Sequence, residues 1–192
     1  MGFDMNAFSL AGKKAIVTGG AKKTGLCYGM AVALHDAGAE IVILDANSQV
    51  ENTVAELGGA KSGYHAVVAN LLDLNDLSNG FQQAISALGG RLDILVNGAG
   101  LQYRCPSEEF PEDAWDRIMG VNIKGVFFMS QLAGKVMLKQ GKGKIINIAS
   151  TNSFIGLRNM PAYVSSKGGV KQLTMALSSE WSGRGINVNA IA

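Results

Sequence analysis

"TGGAKKTGLCYGMA", Thr18 to Ala31, follows a run of strand formers, "KAIVTG" (14–19), and leads into a helical stretch from Gly25 to Ala37. Strand, glycine-rich loop and helix in that order leave backbone N–H groups free at a helix N-terminus, where they attract a pyrophosphate. Gly19 and Gly25 supply the turn and the close approach. A glycine pattern alone is a weak signal. Asp45 strengthens it, because it ends the next strand, about 20 residues on, where a dinucleotide site places its acid. A carboxylate there accepts hydrogen bonds from both adenosine ribose hydroxyls and repels a 2′-phosphate, which favours NAD over NADP. Lys22 and Lys23 weigh the other way if they face the ribose, and otherwise read as a solvated loop tip.

The same alternation runs outward through the chain. "EIVILDA" (40–46), "YHAVVA" (64–69), "LDILVNG" (92–98), "GKIINIAS" (143–150) and "INVNAIA" (186–192) read as further strands. Helical stretches separate them: "VENTVAEL", then "NDLSNGFQQAISALGG", which opens on an Asn and closes on Gly. A long helix is expected from Glu112 to Lys139, after Pro111, and another from Pro161 to near Gly183. Strands rich in Val and Ile on both faces, alternating with helices, predict an α/β fold: a Rossmann-like, doubly wound parallel sheet with helices on both faces. Residues 1–192 then form one dinucleotide-binding catalytic domain. The chain stops on the sixth strand, an apolar edge that proteins normally pair or cover. A missing C-terminal part or a covering partner is expected.

Composition excludes several functions. Seventeen Lys and Arg against 15 Asp and Glu give a net charge of +2. They form no basic stripe, so nucleic acid is not an expected partner. The N-terminus lacks the charged and apolar regions of a signal peptide. No apolar run approaches the roughly 18 residues of a membrane span. Cys27 and Cys105 have no metal or redox spacing and read as reduced thiols of a cytoplasmic protein. His35, on an exposed helix face, and His65, in the third strand, have no second ligand at metal spacing, so no metal is expected.

The chemistry is carried by "YVSSK". Tyr163 and Lys167 stand four apart on a helix, hence on one face. Ser150 ends the fifth strand, at the sheet edge where such folds bind ligands. A phenol serves as acid–base near neutrality when a cation favours its ionised form. One ammonium at about 4 Å supplies about 4 kcal/mol at an effective dielectric near 20, which is sufficient in magnitude. Val170, Leu173, Leu177 and Trp181 form an apolar stripe on the same helix and read as core or subunit interface.

Together with "NGAG" (97–100) and "NIKG" (122–125), these motifs resemble the short-chain dehydrogenase/reductase family from about Phe8 to Ala192. The resemblance implies hydride transfer between NAD(P) and an alcohol or carbonyl. It assigns Ser150 to polarising the substrate oxygen and Tyr163 to proton transfer. Lys167 would assist Tyr163 and bind the nicotinamide ribose, and Asn122 would hold a water joining Lys167 to solvent. The implied cofactor site comprises Gly19, Lys23, Gly25, Leu26, Asp45, Asn70, Leu71, Asn97, Gly98 and Ala99, with Tyr163 and Lys167. A homodimer or homotetramer packed through the last two long helices is also implied.

The departures are specific. The cofactor loop is two residues longer than the family's TGxxxGxG, and its last glycine is Cys27, whose side chain is expected to push the helix outward. Asn70 replaces an Asp, and Gly98 replaces the second Asn of "NNAG". The family's seventh strand and substrate-covering helices are absent from the sequence. "AGLQYRCPSEEF" and "RNMPAY" are most similar to sugar-acid dehydrogenases of the gluconate type, with Arg104, Asn152 and Arg158 as candidate substrate contacts. An NADPH-dependent 3-oxoacyl carrier reductase and a truncated, non-catalytic nucleotide-binding protein are the alternatives.

Overall fold

The structure is a computed structural model and describes residues 5–192. Six parallel strands form one sheet: β1 (Lys14–Thr18), β2 (Glu40–Asp45), β3 (Tyr64–Val68), β4 (Ile94–Asn97), β5 (Gly143–Ile148) and β6 (Ile186–Ile191). Their order is β3-β2-β1-β4-β5-β6, so the winding reverses between β1 and β4. Each parallel step needs a crossover, supplied here by helices. These are α1 (Leu26–Asp36), α2 (Gln49–Glu56), α3 (Leu74–Ala87), α4 (Glu112–Met119), α5 (Val126–Gln140) and α6 (Pro161–Trp181).

Side chains alternate across each strand, and both faces are apolar. Ile16, Val42, Leu44, Leu95 and Ile145 face α3, α5 and α6, where Phe81, Met129, Met137 and Leu177 complete the larger core. Ala15, Val17, Ile41, Ile43 and Val96 face α1 and α2, against Ala31, Val50 and Val54. Of the α6 stripe, Leu177 and Trp181 are buried in the larger core and Leu173 packs against it, while Val170 is buried in a small cluster with Val126 and Ala149.

Register sets the position of the site. Thr18 pairs with Leu44 on one side and with Asn97 on the other, and Asn97 pairs with Asn147. The residues that follow, Gly19, Asp45 and Gly98, therefore leave the sheet side by side at its carboxyl edge, at the reversal point where open α/β sheets bind ligands.

Two local features differ from expectation. The long helix expected from Glu112 to Lys139 is broken by a π-helical turn, Gly120–Gly125, between α4 and α5. A π turn takes in an extra residue and re-aims the side chains in it. Here it buries Asn122, whose amide holds the backbone of Leu101. His35 does not lie on an exposed face: its ring stacks on Tyr64 at 4.0 Å, and Nε2 lies 2.6 Å from the Ser62 carbonyl. β6 forms one edge of the sheet, and Ile191 there is 53% exposed.

Candidate active site

The loop after β1 turns on two glycines with positive φ, Gly19 at 79° and Gly20 at 137°. It then enters α1 through Gly25, where no side chain caps the helix. The first N–H groups of α1 thus face a cleft of about 560 Å³, within the roughly 300–1,000 Å³ of ligand sites. Gly19, Gly25, Leu26, Asp45, Asn70, Leu71, Gly98 and Ala99 all line it. A glycine-turned loop, an uncapped helix N-terminus and an acid on the neighbouring strand fit a dinucleotide.

The lengthened loop is anchored from below. Asp45 Oδ2 accepts the N–H groups of Gly20 and Ala21 at 2.9 and 3.0 Å, and Oδ1 accepts that of Asn47 at 2.9 Å. These bonds use three of the roughly four acceptor positions of a carboxylate, leaving about one for a ribose hydroxyl where two bonds were expected. The Thr53 hydroxyl donates to the Ala21 carbonyl at 2.6 Å, and Lys23 pairs with Glu56 of α2. Lys23 is therefore turned toward α2, and it is Lys22 that lines the cleft.

Cys27 sits under the loop. Its Sγ occupies the space beside Gly98, so the expected outward push on the helix is met instead by a missing side chain opposite. Burial pushes the thiol pKa up, the Asp45 carboxylate adds to that, and the Lys167 ammonium pulls it down.

Asn97 lies beneath the cleft floor. Its amide donates to Ser130 of α5 and to Asn147 of β5, both at 2.9 Å, and Asn147 donates onward to Thr174 of α6 at 2.9 Å. This buried chain ties the central strands to α5 and to α6, the helix that carries Tyr163 and Lys167. Asn70, by contrast, is exposed and accepts the Leu72 N–H at 3.0 Å.

Tyr163 and Lys167 project from one face of α6, with the ammonium 5.8 Å from the Tyr163 ring centre. Lys167 is buried, only 5% exposed, and donates to the Ile148 carbonyl at the end of β5. Burial holds its pKa below the ordinary lysine value. Asn122 accepts the Leu101 N–H at 2.7 Å and donates to the Leu101 carbonyl at 2.9 Å and to Ser166 at 3.1 Å. A Cβ placed on Gly100 would stand 3.5 Å from Asn122 Oδ1 and 3.9 Å from Lys167 Nζ, so these groups converge where the cleft ends. Ser150 lies two residues beyond the end of β5, not on it as expected from the sequence, and caps the following turn, its hydroxyl accepting the Asn152 N–H at 3.1 Å. Arg104 and Arg158 are exposed, on two loops joined by a bond from Cys105 N–H to the Asn159 carbonyl at 3.0 Å.

The family model described as short chain dehydrogenase matches residues 13–192. The chain belongs to that family. It is similar to 2-dehydro-3-deoxy-D-gluconate 5-dehydrogenase of Pseudoalteromonas atlantica, at 42% identity over 98% of this chain and 74% of the relative. It is also similar to gluconate 5-dehydrogenase of Gluconobacter oxydans, at 35% identity over 96% and 72%. A solved structure from Beutenbergia cavernae, assigned in its title as an NAD(P)-dependent gluconate 5-dehydrogenase with NADP bound at low occupancy, superposes with a TM-score of 0.88 at 39% identity, covering 95% of this chain and 72% of that one.

Some cleft residues of this short-chain dehydrogenase escape sequence reasoning. Arg117, Leu72, Leu101 and Val121 also line the cleft. Arg117 stands on α4, and nothing in its local sequence shows that this helix leans over the ends of the strands. Gly100 was within reach, since it closes the quoted "NGAG". Among the described residues, no group of three or more His, Cys, Asp or Glu gathers for a metal ion, and no helix is long and apolar enough to cross a membrane.

Proposed function

We propose that this short-chain dehydrogenase is a cytoplasmic, NAD-dependent oxidoreductase that interconverts a secondary alcohol and a ketone on a sugar acid of the gluconate type. Residues 1–192 act in it as one dinucleotide-binding catalytic unit. The observation that carries the reading is the buried Lys167 ammonium beside the Tyr163 ring, at the end of a cleft suited to a dinucleotide. A cation withdrawn from water with only a carbonyl for partner is costly to fold, and such groups cluster at functional sites.

The cofactor, when bound, takes or gives the hydride. Ser150 holds the substrate oxygen. Tyr163 removes the hydroxyl proton in the oxidative direction and returns it in the reductive one. Lys167 sets its positive charge beside the Tyr163 ring, and Asn122 braces the Leu101 backbone against Ser166, the neighbour of Lys167 on α6. Arg104 and Arg158, on joined loops, receive the substrate carboxylate, for which a guanidinium fork is suited. The relatives named for gluconate and its deoxy-keto derivative support that substrate class.

NAD is favoured because the Asp45 carboxylate stands in the cleft wall. NADP is the second reading, supported by Lys22 in the same wall and by the NADP in the Beutenbergia cavernae structure. A homo-oligomer joined through α5 and α6 is also proposed; Met175 on α6 is 56% exposed, as an interface residue would be in a lone chain.

The test is NADH formation at 340 nm with gluconate-type acids. Tyr163→Phe is expected to lower turnover by about 10²–10⁴, the usual contribution of an acid–base group, while NADH still binds. Turnover retained in that variant overturns the assignment.

A further inference from the structure

The geometry points to Gly98 and Cys27 as a matched size pair that positions the nucleotide loop: the thiol takes the place of a side chain at residue 98, so that residue 98 cannot gain one while Cys27 stands. The inference rests on the proposed nucleotide site and names two residues that set its floor.

The two turns that form that floor leave adjacent strands. Thr18, the last residue of β1, accepts the N–H groups of Gly98 and Ala99 on its hydroxyl, at 3.0 and 3.2 Å. The turn after β4 is therefore fixed to the end of β1 by two hydrogen bonds and has little freedom to withdraw. The loop after β1 passes directly above, and a Cβ on Gly19 would stand 3.1 Å from Ala99 Cα. Between these backbones sits the Cys27 thiol. A Cβ built on Gly98 falls well inside van der Waals contact of Cys27 Sγ, and lies 3.1 Å from the Thr18 carbonyl oxygen. The same Sγ is 3.5 Å from the Cβ position of Gly19.

Three properties make this a pairing and not a coincidence of small residues. Sγ stands two bonds from Cα in the first turn of α1, so it has only the χ1 rotation to move by, and the preceding turn of helix restricts that rotation. The opposing atom is a backbone carbonyl, which cannot yield either. And the sequence departs from the resembling motifs at both positions, gaining a side chain at Cys27 and losing one at Gly98. A side chain restored at residue 98 must then lift α1 or press the β4 turn away from Thr18. Either movement displaces the N–H groups at the start of α1 relative to Gly19, and those are the groups that face the cleft.

The experiment is a double-mutant cycle on the full chain with Gly98→Ala, Cys27→Gly and both together, titrated with NADH by fluorescence. Gly98→Ala is expected to weaken NADH binding by about tenfold or more, as overpacking by one methyl does, and to raise KM for NAD more than it lowers kcat. Adding Cys27→Gly is expected to restore affinity to within about threefold of Cys27→Gly alone, the sign of coupled neighbours. Gly98→Ala binding as wild type does, or a double variant that loses the product of the two single losses, overturns the pairing. Should wild type bind neither NADH nor NADPH, the nucleotide reading fails and the pairing is judged by urea denaturation. There a fall in midpoint on Gly98→Ala must be reversed by Cys27→Gly, and failure to reverse it refutes the pair. If Gly98→Ala does not fold, a folded double variant supports the pairing, and an unfolded one beside a folded Cys27→Gly overturns it.

Discussion

Lys167 is a cation kept from water, and its burial leaves a signature in the pH dependence of stability. Desolvation holds its pKa in the folded chain below the ordinary value of about 10.4. Below the folded value both states carry the proton, and the folded state bears the full penalty of burying charge. Between the folded value and about 10.4 the unfolded chain binds more protons, so stability rises with pH; above that range the penalty is gone. Lys167→Met has no such term. The stability of wild type relative to Lys167→Met is therefore expected to climb as pH is raised from neutrality toward 10, read by urea denaturation at a series of pH values. A difference independent of pH would show an ammonium that water reaches. At neutral pH, catalysis in Lys167→Met should fall by about 10² or more, because the ammonium beside the Tyr163 ring is lost.

At the scale of elements, α5 and α6 approach so closely that the contact admits no methyl. A Cβ on Gly134 of α5 would stand 2.7 and 3.1 Å from ring atoms of Trp181, at the far end of α6 from Tyr163. An indole packed in the core cannot give way as a flexible chain would. Gly134→Ala is expected to destabilise the fold by about 1–3 kcal/mol, seen as a lower denaturation midpoint, with KM for NAD unchanged in the folded enzyme. An unaltered midpoint would mean that the two helices part without cost. Elements of this kind were legible where periodicity is strong: the strands and α6 fall within a residue or two of their expected bounds. The interruption at Gly120–Gly125 was not, because "MGVNIKGVFF" continues a helical pattern and the Leu101 backbone that Asn122 of the turn bonds lies on another element. Likewise Tyr163, Lys167 and Ser150 could be read from spacing and strand ends. The turn of Lys23 toward Glu56 could not, since it depends on how the longer loop docks on α2.

Across the whole molecule, the cleft joins the two halves of the sheet, so a nucleotide that binds there stabilises the entire fold. A ligand at about 100 times its Kd adds about 2.7 kcal/mol to the folded state, and thermal shift then ranks cofactors without turnover. Asp45 and Lys22 oppose each other in this ranking, since both line the wall beside the expected adenosine ribose. The carboxylate is the fixed member: three backbone N–H groups hold it, whereas Lys22 is exposed on the loop. A held charge repels a 2′-phosphate without relief, while a mobile cation must give up side-chain entropy to attract one. NAD is therefore expected to raise the melting temperature more than NADP at equal concentration. Asp45→Asn removes the charge and keeps one oxygen for the Gly20 and Ala21 N–H groups, but gives up the bond from the Asn47 N–H, which an amide NH2 cannot accept. It should shift the NAD to NADP affinity ratio toward NADP by at least about tenfold, or about 1.4 kcal/mol. A wild-type preference for NADP would make Lys22 the stronger of the two, and Lys22→Ala should then weaken NADP binding and leave NAD binding as it was.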